Sequence, residues 1–282
     1  MTERGYHLVF ILEEEYRESR LPRAVIDLLS LWGHRTTVVE PGRHAVAVDE
    51  LAGGADVDAA VLRTVSGGPG LPLLRSLGAA GILTINDAEA VARARDKTVM
   101  HGLARVHHIA VPETFYLAHE GLLEQIPADR YPLVVKPAEG GFGQHVRIVS
   151  TLDEARGQSH DLDTRRPLVA QRWVPNSGYD VKLYNTGTRV HAVRRRSSLM
   201  GGGDRDRERI VVPADLAELA RRIGAAFGLA IYGADVVEAE SGWVVVDVND
   251  FPSFGMIPEA PEEVASTIVD VIRRAQSRGT AA

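Results

Sequence analysis

The chain has no cysteine, which excludes disulfides, thiolate metal sites and a cysteine nucleophile. It has no apolar run near the roughly 20 residues that span a bilayer, so no membrane partner is expected. Ahead of the acidic triplet Glu13, Glu14 and Glu15 there is no apolar leader core, and a cytoplasmic location is the expectation. Basic residues are interspersed with acidic ones at a net charge of −6, which argues against a nucleic-acid partner. Catalytic signatures are missing too. No His-Glu-x-x-His spacing suggests a zinc hydrolase, and no Gly-x-Ser-x-Gly elbow suggests a serine hydrolase. No Gly-x-Gly-x-x-Gly follows the first apolar run, and no Gly-Lys-Ser/Thr opens a helix, so neither a dinucleotide fingerprint nor a Walker loop is present.

What is present is a 282-residue chain with 45% hydrophobic content, long enough for one to three domains. Apolar runs at 7–12, 35–40, 58–63 and 82–85 alternate with helical spacing at 22–32 and near 71–77. Strands alternating with helices predict an N-terminal parallel α/β domain over residues 1–88. A single long helix is expected from Asp87 to Val106. From Pro132 onward the pattern turns antiparallel, with strands near 133–136, 145–149, 168–174, 180–184 and 189–193. A helix over 213–227, a hairpin over 234–249 and a closing helix over 261–275 follow. Residues 200–209, with three consecutive glycines, read as a mobile loop.

The hairpin carries the most information. With Glu240, Ser241 and Gly242 as the turn, counting back places Asp235 opposite Asp247, and Asn249 shares the face of Asp247. Opposed like charges destabilise a sheet. A hard divalent cation with oxygen ligands would neutralise them. A solvated face would explain two acids equally well, but Val244 to Val248 is too apolar for an exposed strand.

Other residues gain meaning by position. Lys136 ends an apolar strand beside Gly140, Gly141 and Gly143, whose backbone amides could wrap phosphates. Lys97 follows Asp96 on a helix, ordinarily a solvated place for lysine. Asp180 and Lys182 share one strand face, suited to a ribose or phosphate contact and equally to a surface ion pair. Arg194, Arg195 and Arg196 leave the partner strand. One parity, Arg194 with Arg196 or Arg195 alone, faces the same cleft, where guanidinium forks could hold an anion.

In this order, Arg95 to Lys97, Pro132 to Pro137, Gly140 to Gly143, Val169 to Val174, Asp180 to Lys182 and Asp247 to Asn249 resemble the ATP-grasp superfamily. The similarity is to the glutamate ligase of ribosomal protein S6 and to glutathione-synthetase-like ligases. The resemblance implies α/β followed by α+β: a pre-ATP-grasp domain at 1–88, a lid or central subdomain at 89–170 and a C-terminal subdomain at 171–282. It implies that ATP is held by Lys97, Lys136, the lid glycines Gly140, Gly141 and Gly143, and Asp180. The strand containing Gln171, Arg172 and Val174 would hold adenine, largely through backbone groups. One or two Mg2+ ions, with Mn2+ as a substitute, would sit on Asp235, Asp247 and Asn249.

The implied reaction is formation of an amide from a small-molecule or peptide carboxylate and an amine through an acyl phosphate, with Arg194, Arg195 and Lys182 as catalytic residues. Residues 179–184, 190–197 and 246–255 are also similar to inositol-phosphate kinases of the same superfamily, which keeps a small-molecule kinase as the alternative. Arg172 stands where many members have Glu, and Met200 to Gly203 lacks an Asn that the S6-type ligases place there. A homodimer is the base-rate expectation.

Overall fold

The computed structural model describes residues 4–13, 16, 20–53, 56–63, 68–139, 146–157, 166–201 and 206–279. The first strand, β1 (His7–Leu12), is apolar on both faces, as a central parallel strand must be. It lies between β2 (Arg35–Val39) and β3 (Ala59–Arg63), with β4 (Leu83–Ile85) beyond, all parallel in the order β2-β1-β3-β4. Alternation splits β1 between two cores. Leu8 and Phe10 meet Val25 and Leu29 of the helix Arg20–Leu31 and Ile268 of the helix Ala260–Gly279. Val9 and Ile11 meet Leu74 and Leu77 of the helix Gly70–Ala79 on the opposite face. The C-terminal helix therefore covers the N-terminal sheet, and the α/β expectation for this region holds.

The expected long helix after β4 is two helices, Ala88–Arg95 and Lys97–Val106. Asp96 breaks it. Its backbone is extended (φ −84°, ψ 107°), and its carboxylate caps the second helix by accepting from the Thr98 and Val99 N–H groups at 2.8 and 3.1 Å. Asp96 also bridges Glu139, and the Lys97 N–H donates to the Ala138 carbonyl at 3.0 Å. An aspartate that caps better than it propagates a helix explains the correction.

A four-stranded antiparallel sheet follows, made of β5 (Thr114–Leu117), β6 (Leu133–Pro137), β7 (Arg147–Val149) and β8 (Leu168–Arg172) in the order β5-β8-β6-β7. The largest sheet contains β9 (Tyr179–Asn185), β10 (Val190–Arg196), β11 (Arg207–Ile210), β12 (Tyr232–Ala239) and β13 (Gly242–Asn249), ordered β11-β10-β9-β12-β13. The edge strand β11 falls within and just beyond the segment expected to be a loop; residues 202–205 of that segment lie outside the described residues. One face of this sheet is covered by the helix Ala214–Phe227 and by the two helices that flank Asp96. Ala90, Ala94, Met100 and Ala104 share the core of this sheet, whereas Ala88 and Val91 pack into the core of the N-terminal sheet.

Buried Asn86 joins the N-terminal and C-terminal sheets. Its Nδ2 donates to the Ile231 and Asp250 carbonyls at 2.6 and 2.5 Å. Its Oδ1 accepts from the Ala230 and Ile231 N–H groups at 2.8 and 2.9 Å. Among the described residues no helix is long and apolar enough to cross a membrane.

Candidate active site

A cleft of about 710 Å³ is lined by both antiparallel sheets and by the carboxyl end of β3. Asp235 and Asp247 pair across β12 and β13, as counting from the turn proposed, but two departures cancel to produce that result. The turn is only Glu240 and Ser241, so near the turn each residue of β12 faces a β13 residue one position earlier than counted. A bulge between Asp235 and Val236 then leaves Val246 as an extra residue and restores the pairing. The bulge has a chemical consequence. The Lys136 ammonium donates to the carbonyl of Val246 at 2.9 Å, so the end of β6 is tied to the metal-site candidate on β13.

The acids are balanced by cations from separate elements. Lys97 Nζ lies 4.0 Å from Asp247 Oδ1. Lys182 Nζ and Arg195 Nη2 each lie 3.4 Å from Asp235 Oδ1, and Arg195 Nη2 also approaches Asp180 Oδ2 at 3.9 Å. Lys97, Lys136, Lys182 and Arg195 thus face Asp180, Asp235 and Asp247, four cations against three carboxylates. Burial pushes the Asp235 carboxyl up, but Lys182 and Arg195 outweigh it and hold the carboxyl below its usual range. Burial raises the Asp180 carboxyl despite Arg195. Burial also lowers the Lys136 ammonium; Asp247 opposes that shift and Lys97 adds to it.

The adenine-strand candidates Gln171, Arg172 and Val174 line the same cleft. The Gln171 side chain is buried and donates to Thr114 Oγ1 at 3.2 Å, so it is a structural contact to β5. The Arg172 and Trp173 N–H groups already donate to the Glu113 and Pro132 carbonyls. Among the described residues no hydrogen bond uses the Val174 N–H. Val134, Val146, Val237 and Leu199 supply apolar walls suited to a planar ring.

One expected catalytic residue is not in the site. Arg194 projects away from the cleft, pairs with Glu208 of β11 at 2.6 Å and lies over the Tyr179 ring at 5.1 Å. Strand alternation assigns the cleft to Arg195, which faces Asp180 in register. Gly140, Gly141 and Gly143, expected to form the lid, lie outside the described residues. Lys97, Lys136, Gln171, Arg172, Val174, Asp180, Lys182, Arg195, Asp235, Asp247 and Asn249 line one cleft. Sequence reasoning missed Tyr16, Arg63, Asn176 and Asp250. For Arg63 a signal existed: a charged residue ending an otherwise apolar parallel strand, where such sheets place ligands. Among the described residues no group of three His, Asp or Glu side chains is placed to hold a metal ion, so the metal candidate set is two carboxylates and one amide.

Residues 94–272 match the family profile described as a RimK-like ATP-grasp domain. The chain is 26% identical over 214 residues to a Rhodopirellula baltica protein named a probable alpha-L-glutamate ligase, a match covering 71% of this chain and 52% of that one. It is 28% identical over 175 residues to inositol-tetrakisphosphate 1-kinase 2 of Glycine max, covering 51% of this chain and 54% of that one. The chain spans about half the length of both of these relatives. A crystal structure of a RimK domain ATP-grasp protein from Sphaerobacter thermophilus superposes with a TM-score of 0.75 at 23% identity, covering 93% of this chain and 98% of that one; the likeness is one of fold.

Proposed function

The chain belongs to the RimK-like ATP-grasp family, and from that premise we propose that it is an ATP- and Mg2+-dependent carboxylate–amine ligase working through an acyl phosphate. The observation that carries this reading is the convergence on the Asp235–Asp247 pair of Lys97, Lys136, Lys182 and Arg195, which come from different elements.

Asp235, Asp247 and Asn249 offer only oxygen donors, which fits a hard cation, and Asp235 is held ionised by its neighbours. When bound there, one or two Mg2+ ions would supply charge neutralisation to the triphosphate. Lys97 and Lys136 would hold phosphate oxygens as point charges. The Val174 N–H and the apolar walls would receive adenine. Arg195 and Lys182, released from Asp235, would cover the transferring phosphoryl group. The acceptor carboxylate would attack the γ-phosphorus and release ADP. The amine would then attack the acyl carbon and expel phosphate. Holding both substrates side by side in one cleft would favour amide formation over hydrolysis.

The test is an ADP-release screen over amino acids, peptides and inositol phosphates, followed by 18O placed in the active acceptor's carboxylate. Transfer of label into released phosphate supports the ligase. Label that never reaches phosphate sinks it. The similarity to the Glycine max kinase keeps phosphoryl transfer as a second reading; a stable phosphorylated product without an amide would select it.

A further inference from the structure

The nucleotide reading leaves one wall of the cleft without a task. β3 carries four buried apolar residues and ends on Arg63, which lines the cleft together with Tyr16. The Arg63 side chain belongs to a residue only 6% exposed. Its guanidinium carbon lies 3.6 Å from the Tyr16 ring centroid and 5.9 Å from that of Phe251. A guanidinium stacked on a ring keeps its N–H edge for acceptors in its own plane. Among the described residues its Nε has no hydrogen-bond acceptor. Asp250, an acid whose charge reaches it, has both carboxylate oxygens gripped by Arg95. Burial accordingly pushes the Arg63 guanidinium down from its ordinary value. Among the described residues no ion pair serves this buried cation, a costly arrangement, and Tyr16 supports it by stacking and by a side-chain hydrogen bond. It lines a cleft whose other cations suit an anion.

Resting on the ligase reading, we infer that Arg63 anchors a second anionic group of the acceptor, separate from the carboxyl group that is activated. The planar fork of Arg63 matches a carboxylate through two parallel N–H···O bonds. The acceptor class is therefore a dicarboxylate, or an anionic amino acid or peptide, and not a simple monocarboxylic acid. A phosphate substituent would use the same guanidinium edge, so the experiment carries an arm for each source.

Glutarate and its half-amide, 4-carbamoylbutyrate, are titrated calorimetrically into protein saturated with ADP and Mg2+. Wild type is expected to prefer glutarate. Arg63→Gln should weaken glutarate binding about tenfold or more and erase the preference, with ADP affinity unchanged. Arg63→Lys, which keeps the charge and loses the fork, should fall between them and serves if the Gln variant does not fold. An unchanged preference in Arg63→Gln, or no glutarate binding to wild type at millimolar concentration, overturns the inference. Inositol hexakisphosphate that competes with glutarate in wild type but not in Arg63→Gln would keep the anchor and assign it to phosphate. Binding preference needs no turnover, so loss of the ligase reading in the 18O experiment and loss of the anchor are separate results.

Discussion

Arg95 grips both oxygens of Asp250, Nε on Oδ1 at 2.9 Å and Nη2 on Oδ2 at 3.0 Å, with side chains 6% and 10% exposed. The pair links the last residue of a helix to the residue directly after Asn249. Its Coulombic gain is largely offset by desolvation, but breaking one side leaves a buried charge alone. Arg95→Met should therefore destabilise the protein by about 3–5 kcal/mol in urea unfolding, and the double variant Arg95→Met/Asp250→Leu should recover much of that loss. A single variant as stable as wild type would show that Asp250 finds another partner.

Asp247→Asn tests the metal assignment. The two acids repel each other across the hairpin, so counting charges on β12 and β13 alone predicts that removing one would stabilise the fold. The structure reverses that expectation. Lys97 lies 4.0 Å from Asp247, and Lys136 is also within the reach of its charge. The variant should lose Mg2+-dependent ADP release and show no rise in melting temperature. Full turnover with unchanged Mg2+ dependence would remove Asp247 from the site.

β1 and β3 were legible because each is a buried parallel strand with an unbroken apolar run, Leu8 to Leu12 and Ala59 to Leu62. The landmarks around Lys136, Asp180 and Asp247 were legible because each is a short polar interruption of an apolar strand. The break at Asp96 was hidden inside a continuous helical pattern, and only its cap and its bridge to Glu139 expose it. The Val246 bulge was hidden because one extra residue leaves the apolar run intact. The burial of Arg95 and Arg63 was not legible, since the acid and the ring they meet come from distant segments.

Lys136 links affinity to pH-dependent stability. Its ammonium titrates below the ordinary 10.5 in the folded protein because of burial. Between that lowered value and 10.5 the unfolded chain binds the proton more tightly, so folding stability rises with pH across this window. Below the window the penalty is present in full. Lys136→Met lacks the term. Wild type should gain stability relative to the variant as pH rises through the window, read by urea unfolding of the ligand-free proteins. At neutral pH the same variant should lose about 1.5–3 kcal/mol of ATP binding. Parallel stability curves for the two proteins would contradict the buried-cation assignment.

Arg194 and Arg195 are neighbours with opposite destinations. Arg194 pairs with Glu208 at the edge strand, whereas Arg195 reaches Asp235 and Asp180. Arg194→Ala should leave kcat within about a factor of two of wild type, because exposed pairs contribute little. Arg195→Ala should lower kcat by about two orders of magnitude or more, the scale for losing one group that stabilises transferring charge. Equal effects of the two substitutions would mean that β10 rotates when substrate binds.

Gly233 pairs with Asn249 across the hairpin. A Cβ there would approach Pro252 Cγ to 3.0 Å, Pro252 Cβ to 3.2 Å and the Leu183 carbonyl to 3.3 Å. Neither a proline ring nor a strand backbone yields easily. The added methyl should therefore displace the 250–252 segment and, with it, Asn249. Gly233→Ala is expected to cost about 1–3 kcal/mol of stability by overpacking. Well below its melting temperature it should also need more Mg2+ for half-maximal turnover. Unchanged Mg2+ dependence alongside the lost stability would show that Asn249 does not hold the ion.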